Sequence, residues 1–208
     1  MIRLYQRAKG PKHMKFYEQR ILPASRQMKD LEKAVASPYE YLVLLDVHIA
    51  QLKHACSIVQ QANKKLFLHI DLIQGLQSDA HATEYLCQEY RPFGILSTKS
   101  SVIQKAKQKG VIAVQRIFLI DNSALEKSCK LLESTQPDVI EVLPGGMPSV
   151  IRKVKARTNL PILAGGFIST SEDVRLALEA GAEAVTTSNK RLWTECEKKV
   201  IDNVYNFN

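Results

Sequence analysis

The sequence predicts an α/β protein folded as a single (β/α)8 barrel, the TIM-barrel class. Three observations lead there. Short apolar runs rich in β-branched residues recur eight times along the chain. Their centres lie about 19 to 26 residues apart, the length of a strand plus a returning helix. The runs are nearly continuous in apolar residues, as strands buried on both faces must be. Eight such units almost fill the 208 residues, at the short end of the range for this barrel. A doubly wound open sheet normally uses fewer strands.

The expected strands are Ile21–Ala24, Tyr41–Asp46, Leu66–Asp71, Gly94–Ser97, Ile112–Arg116, Val139–Leu143, Ile162–Ala164 and Ala184–Thr187. Between them lie helical patterns. From His48 to Ala62, Ile49, Leu52, Cys56 and Val59 fall at helical spacing. Ser123 and Glu126 form an S-x-x-E capping pattern ahead of another helix. The run Ser169 to Asp173 offers several caps before Val174–Ala180, and Gly181 ends that helix. Gly110 likewise closes the helix that opens near Ser100. Pro137 and Pro161 stop one element just before the next strand. The chain thus divides into a basic N-terminal arm (1–20), the barrel (21–195) and a C-terminal tail (196–208).

With 45% hydrophobic and 24% charged residues, the composition excludes a disordered or low-complexity chain. No run approaches the roughly 20 apolar residues of a membrane span. No signal-peptide core follows the basic start, so a cytoplasmic protein without membrane contact is expected. Cys56, Cys87, Cys129 and Cys196 are widely spaced, without a CxxC pair, and read as reduced, non-ligating thiols. Residues 1–20 hold Arg3, Arg7, Lys9, Lys12, Lys15 and Arg20 against Glu18, a net +5 of the chain's +8. Such an imbalance suits a polyanionic partner or a solvated tail. Tyr5, Phe16 and Tyr17 interleave with these charges and could stack on bases.

In a parallel barrel, ligands bind where the strands end, because those loops are free to vary. Two loops stand out. After the seventh strand come Gly165, Gly166 and Phe167; after the eighth come Thr187, Ser188 and Asn189. Glycines let backbone N–H groups approach an anion, and a following helix start adds unpaired donors. These six residues are the expected phosphate site. Asp46, His48, His69, Asp71, Lys99, Arg116 and Glu141 stand at the remaining strand ends and line the expected pocket. The spacings Asp46-x-His48 and His69-x-Asp71 would put pairs on one strand face, yet no further ligand cluster accompanies them, so no metal is expected. Leu143 to Pro148 is either a turn, with Pro148 suited to a first helical turn, or a wall of the ligand pocket. Lys105, Lys107 and Lys109 on the fourth helix, and Arg152, Lys153 and Lys155 on the sixth, are solvated faces or contacts for an RNA backbone.

The order of motifs carries a resemblance. Leu45-Asp46-Val47-His48 precedes Gln51-Leu52-Lys53 and, further on, His69-Ile70-Asp71-Leu72-Ile73-Gln74-Gly75. Gly94 to Ser101, Glu141 to Gly145, Ala164 to Ile168 and Val185 to Asn189 follow in register. From about Ile21 to Trp193 the chain resembles the glycerol-3-phosphate-responsive antiterminators of Gram-positive bacteria. That resemblance implies a regulator and not an enzyme. It implies a glycerol 3-phosphate effector, no cofactor, and action on the leader mRNA of glycerol-catabolic genes so that polymerase reads through a terminator. A homo-oligomer is compatible with it. The first 20 residues exceed the family's usual start, and the tail lies outside the resemblance. The rival expectation is a barrel enzyme acting on a small phosphorylated metabolite, because fold alone does not fix function.

Overall fold

The structure, a computed structural model, describes residue 16 and residues 19–195. The cations of the arm up to Lys15, Tyr5, Tyr17 and the tail from Cys196 lie outside the described residues. Strands and helices alternate in chain order. The strands are β1 (Ile21–Ser25), β2 (Tyr41–Leu44), β3 (Val47–His48), β4 (Lys65–His69), β5 (Ile73–Gln74), β6 (Gly94–Ser97), β7 (Ile112–Phe118), β8 (Val139–Leu143), β9 (Ile162–Gly165) and β10 (Ala184–Thr187). The helices are α1 (Met28–Ala36), α2 (Ile49–Gln61), α3 (Ala80–Glu89), α4 (Ser100–Gln108), α5 (Asn122–Thr135), α6 (Pro148–Lys155) and α7 (Ser171–Glu179). Residues 190–195 are helical as well.

Eight of the strands close a parallel barrel in the order β1-β2-β4-β6-β7-β8-β9-β10, with β10 returning to β1. The predicted (β/α)8 barrel is therefore the observed fold. Alternation along each strand sorts its side chains to opposite sides. Leu22, Val43, Phe67, Leu96, Val114, Val139, Leu163 and Ala184 meet inside the barrel. Ile21, Leu42, Leu68, Ile95, Ile140 and Ile162 face the helices, meeting Leu31, Leu52, Leu86 and Val102. Each fully buried aliphatic side chain contributes about 1.5–3 kcal/mol, so these two layers dominate stability.

An aromatic group closes the floor. Phe16 stacks edge-on against Tyr41 with ring centroids 5.6 Å apart, and Phe67 meets Phe93 at 5.4 Å. Phe16 is buried, so it packs the floor and is not available for stacking on bases. Gln19 fastens this segment: its amide donates to the carbonyls of Ile21 and Tyr41 and accepts from the N–H groups of Glu40 and Tyr41.

Local expectations hold with three corrections. The second and third strands end at Leu44 and His69, short of Asp46 and Asp71. Beyond them the chain leaves the barrel wall. A short 3-10 turn, Ile70–Leu72, leads into β5, which pairs with β3 in a separate two-stranded sheet at the mouth. The cap of α5 is Asp121, which accepts from the Ala124 N–H at 2.7 Å; Ser123 lies within the helix. Asp121 wins because its carboxylate is one residue outside the first turn, where Ncap backbone geometry is extended. Thr170 and Asp173 form the capping box of α7.

Candidate functional site

Interior alternation carries one step further toward the strand ends. The residues two beyond Phe67, Val114, Val139, Leu163 and Ala184 are His69, Arg116, Glu141, Gly165 and Thr186. They form a polar layer above the apolar interior. Arg116 Nε donates to Glu141 Oε2 at 2.5 Å, with the carboxylate fully buried and the arginine side chain 11% exposed. Thr186 Oγ1 donates to Glu141 Oε1 at 2.6 Å. Both carboxylate oxygens are thus engaged. Gly165 completes the layer by having no side chain: a Cβ there would lie 2.7 Å from Thr186 Oγ1 and 2.9 Å from Glu141 Oε1.

His69 is 3% exposed, and neither ring nitrogen has a hydrogen-bond partner among the described residues. Burial, helped by the positive charge of Arg116 and opposed by Asp71, pushes its pKa down to about 4. The imidazole is neutral at pH 7, with one donor and one acceptor to offer.

Asp71 sits in the 3-10 turn beside this layer. It accepts from Ser78 Oγ at 2.5 Å, Ser97 Oγ at 2.6 Å, and the Thr98 N–H and Oγ1 at 2.7 and 2.9 Å. Burial alone would raise its pKa, but the donors from Ser78, Ser97 and Thr98 outweigh that and hold it below the usual carboxylate range. Asp71 ties three segments together and bonds neither Arg116 nor Lys99. Lys99 Nζ reaches the Ser78 carbonyl at 2.9 Å instead. Gln115 bonds the carbonyls of Ser97 and Thr98, bracing the same corner.

Asp46 accepts from Gln74 Nε2 at 2.8 Å across the β3–β5 pair. His48 caps α2 through Nδ1, which accepts from the Ala50 N–H at 3.1 Å. Asp46 precedes β3 and His48 ends it, so both stand at the small sheet at the mouth. Among the described residues, no three His, Cys, Asp or Glu side chains are placed to hold a metal ion. The i, i+2 argument fails at Asp71 because the 3-10 turn breaks the strand alternation.

The two expected phosphate loops are adjacent. Thr187 Oγ1 accepts from the Asn189 N–H at 3.1 Å, and Asn189 Nδ2 donates to the Ser169 carbonyl at 3.0 Å. Asn189 Oδ1 accepts from the Arg191 N–H. Asn189 therefore clamps the β9–α7 loop to the last helical turn, while Ser188 is exposed. Gly166 has φ +79° and Phe167 φ +56°, both left-handed. The Gly145 and Gly146 N–H groups donate to the carbonyls of Gly165 and Gly166 at 2.6 and 3.0 Å, binding the β8–α6 loop to the same turn. The Leu143–Pro144 peptide is cis.

Strand alternation is the signal that assigns Thr186 to the interior layer, apart from the loop residues Thr187 to Asn189. Ser78, Thr98 and Gln115 had no local signature. The basic runs are distributed unevenly. Lys105 and Lys109 both pair with Glu84 of α3, and Lys107 bonds the Gln136 carbonyl. Arg152, Lys153 and Lys155 on α6 are exposed. A cavity of about 180 Å³ lies away from the mouth, between α5 and the end of α6, lined by Ile117, Leu125, Leu132, Val154 and Leu160.

The sequence profile described as "Glycerol-3-phosphate responsive antiterminator" matches residues 21–193. The uncharacterized protein YgcP of Escherichia coli K12 is 30% identical over 178 residues, spanning 86% of this chain and 93% of that one. The crystal structure of a glycerol uptake operon antiterminator regulatory protein from Listeria monocytogenes is 45% identical, with a TM-score of 0.83 over 85% of this chain and 96% of that one. A glycerol uptake operon antiterminator-related protein from Thermotoga maritima is 29% identical, with a TM-score of 0.75 over 85% and 98%. A deoxyribose phosphate aldolase from Aeropyrum pernix, at 16% identity and a TM-score of 0.64 over 87% and 90%, shares the fold alone. By its profile match and its relatives along nearly the whole barrel, this chain belongs to the glycerol-3-phosphate responsive antiterminator family.

Proposed function

We propose that this protein is a glycerol 3-phosphate sensor that, when loaded, binds the leader mRNA of glycerol-catabolic genes and promotes read-through of a terminator. The observation that carries the reading is the polar layer at the mouth. A buried, neutral His69, whose ring nitrogens have no partner among the described residues, faces the same space as Arg116, Glu141 and Thr186. Such a group suits a small ligand that brings hydroxyls, because a buried polar atom left unpaired is costly. The phosphate belongs on the loops of Gly165, Gly166 and Phe167 and of Thr187, Ser188 and Asn189. Exposed Gly166 leaves backbone open to an anion. The glycerol end faces His69, Arg116 and Glu141, with Asp46, His48, Asp71 and Lys99 shaping the rim.

The engaged residues favour binding over turnover. Glu141 uses both oxygens within the barrel, and Lys99 holds a backbone carbonyl. Glycerol 3-phosphate titrated calorimetrically with and without leader RNA tests the reading. Linkage requires each to tighten the other by the same factor, about 5- to 150-fold for a coupling of roughly 1–3 kcal/mol. Equal ligand affinities in both titrations would remove the switch, and absence of RNA retention at low salt would remove RNA as the target.

A further inference from the structure

Four large apolar side chains stand exposed on three successive loops at one side of the mouth. Phe118 ends β7 and Ile120 follows it, and they are 55% and 89% exposed. Met147 follows β8 at 49%, and Phe167 follows β9 at 84%. The loops are not independent. Phe118 pairs with Leu143 in the β7–β8 ladder, and the Leu119 N–H donates to the Leu143 carbonyl. A Cβ on Gly146 would lie 2.3 Å from the Phe167 carbonyl oxygen, so the β8 and β9 loops touch backbone to backbone. Phe167 adopts φ +56°, a left-handed conformation that is an outlier for a bulky residue. Its ring gains no burial in return. Strain held at an exposed aromatic side chain is a mark of function.

We infer that this rim is the platform on which unpaired RNA bases stack, an assignment that rests on the RNA reading above. Charge argues for RNA over a protein partner. Outside residues 1–20 the chain still carries net +3, and α6, which starts next to Met147, bears Arg152, Lys153 and Lys155 with no acidic residue. Lys153 Nζ lies 3.3 Å from Asn122 Oδ1, at the first turn of α5 and two residues past Ile120. An exposed cation thus stands beside the apolar rim, the pairing of aromatic surface and backbone charge that holds single strands.

The test uses the full chain, an unstructured fluorescent RNA of about 20 nucleotides, saturating glycerol 3-phosphate, and anisotropy across a salt series. Phe118→Ala and Phe167→Gly should each weaken RNA binding about 5- to 150-fold, the range for losing a stacked base. Phe118→Ala should leave glycerol 3-phosphate affinity and the thermal midpoint unchanged. Lys153→Gln should lower the slope of log K against log salt by about one, and Phe118→Ala should not change it. RNA binding by the wild-type protein, with unchanged affinity in the Phe118→Ala and Phe167→Gly variants, would overturn the platform alone. Wild-type protein that binds no RNA would overturn both it and the RNA reading. Loss of a dimer in light scattering on Phe118→Ala, with RNA binding intact, would give the rim to a second copy of the chain and overturn the proposal.

Discussion

His69 is buried at 3% exposure, and its environment favours the neutral imidazole. Its folded pKa of about 4 lies below that of an exposed histidine. The unfolded chain therefore binds the extra proton as pH falls below about 6.5, and the folded state resists it until about 4. Stability is full above the unfolded value and drains through that window. Lowering the pH from 7 to 5 should remove about 1–2 kcal/mol, measured by urea denaturation. His69→Gln should flatten that dependence. Asp71 does not blur the window, since its carboxylate is held below the usual range and titrates in stronger acid. The Glu141 carboxylate presents the complementary case. Arg116→Leu leaves a fully buried charge with only Thr186 to satisfy it. Removing one partner of such a pair costs about 3–5 kcal/mol, and denaturation of this variant should show a loss of that size.

At the scale of elements, the loops depend on glycine for two separable reasons, seen at Gly110 between α4 and β7 on the floor and at Gly145 after β8 at the mouth. Gly110 has φ +75° with nothing within 4 Å of a new Cβ. Gly110→Ala should cost only the left-handed strain, about 1–2 kcal/mol. Gly145 is not left-handed, but a Cβ there would sit 2.5 Å from the Gly165 backbone nitrogen. Gly145→Ala must push β8 and β9 apart and break the N–H bond to the Gly165 carbonyl. It should lose more stability than Gly110→Ala and also weaken glycerol 3-phosphate binding, which calorimetry on the two variants would separate. The same comparison explains what was legible here. Glycine pairs after strands announce close approach, so the loops could be located from the sequence. Which loop each glycine touches depends on strand neighbours far apart in the chain.

At the scale of the whole molecule, the barrel is closed at the floor by a residue outside its strands. Phe16 packs on Tyr41 and Phe67, and Gln19 bonds both β1 and β2 at their starts. Phe16→Ala should cost about 3–5 kcal/mol, as for other buried phenylalanines, seen as a lower denaturant midpoint with glycerol 3-phosphate affinity little changed. The basic arm therefore has a structural anchor at its end, whatever its cations contact.

The sequence by itself determined the eight strand–helix units, the capping run of α7, the glycine loops and the family. These are local properties: strand and helix periods, turn chemistry and motif order are all written within a few residues of one another. Only the tertiary structure decided the partners. Arg116 and Glu141 are 25 residues apart, and Glu141 and Thr186 are 45 apart, yet closure of the ring brings all three into one layer. It likewise gathered Ser78, Ser97 and Thr98 around Asp71 and left His69 unpaired at the mouth. The physical reason is that a strand's alternation settles which side chains point inward, while only the barrel's closed register settles which of them meet.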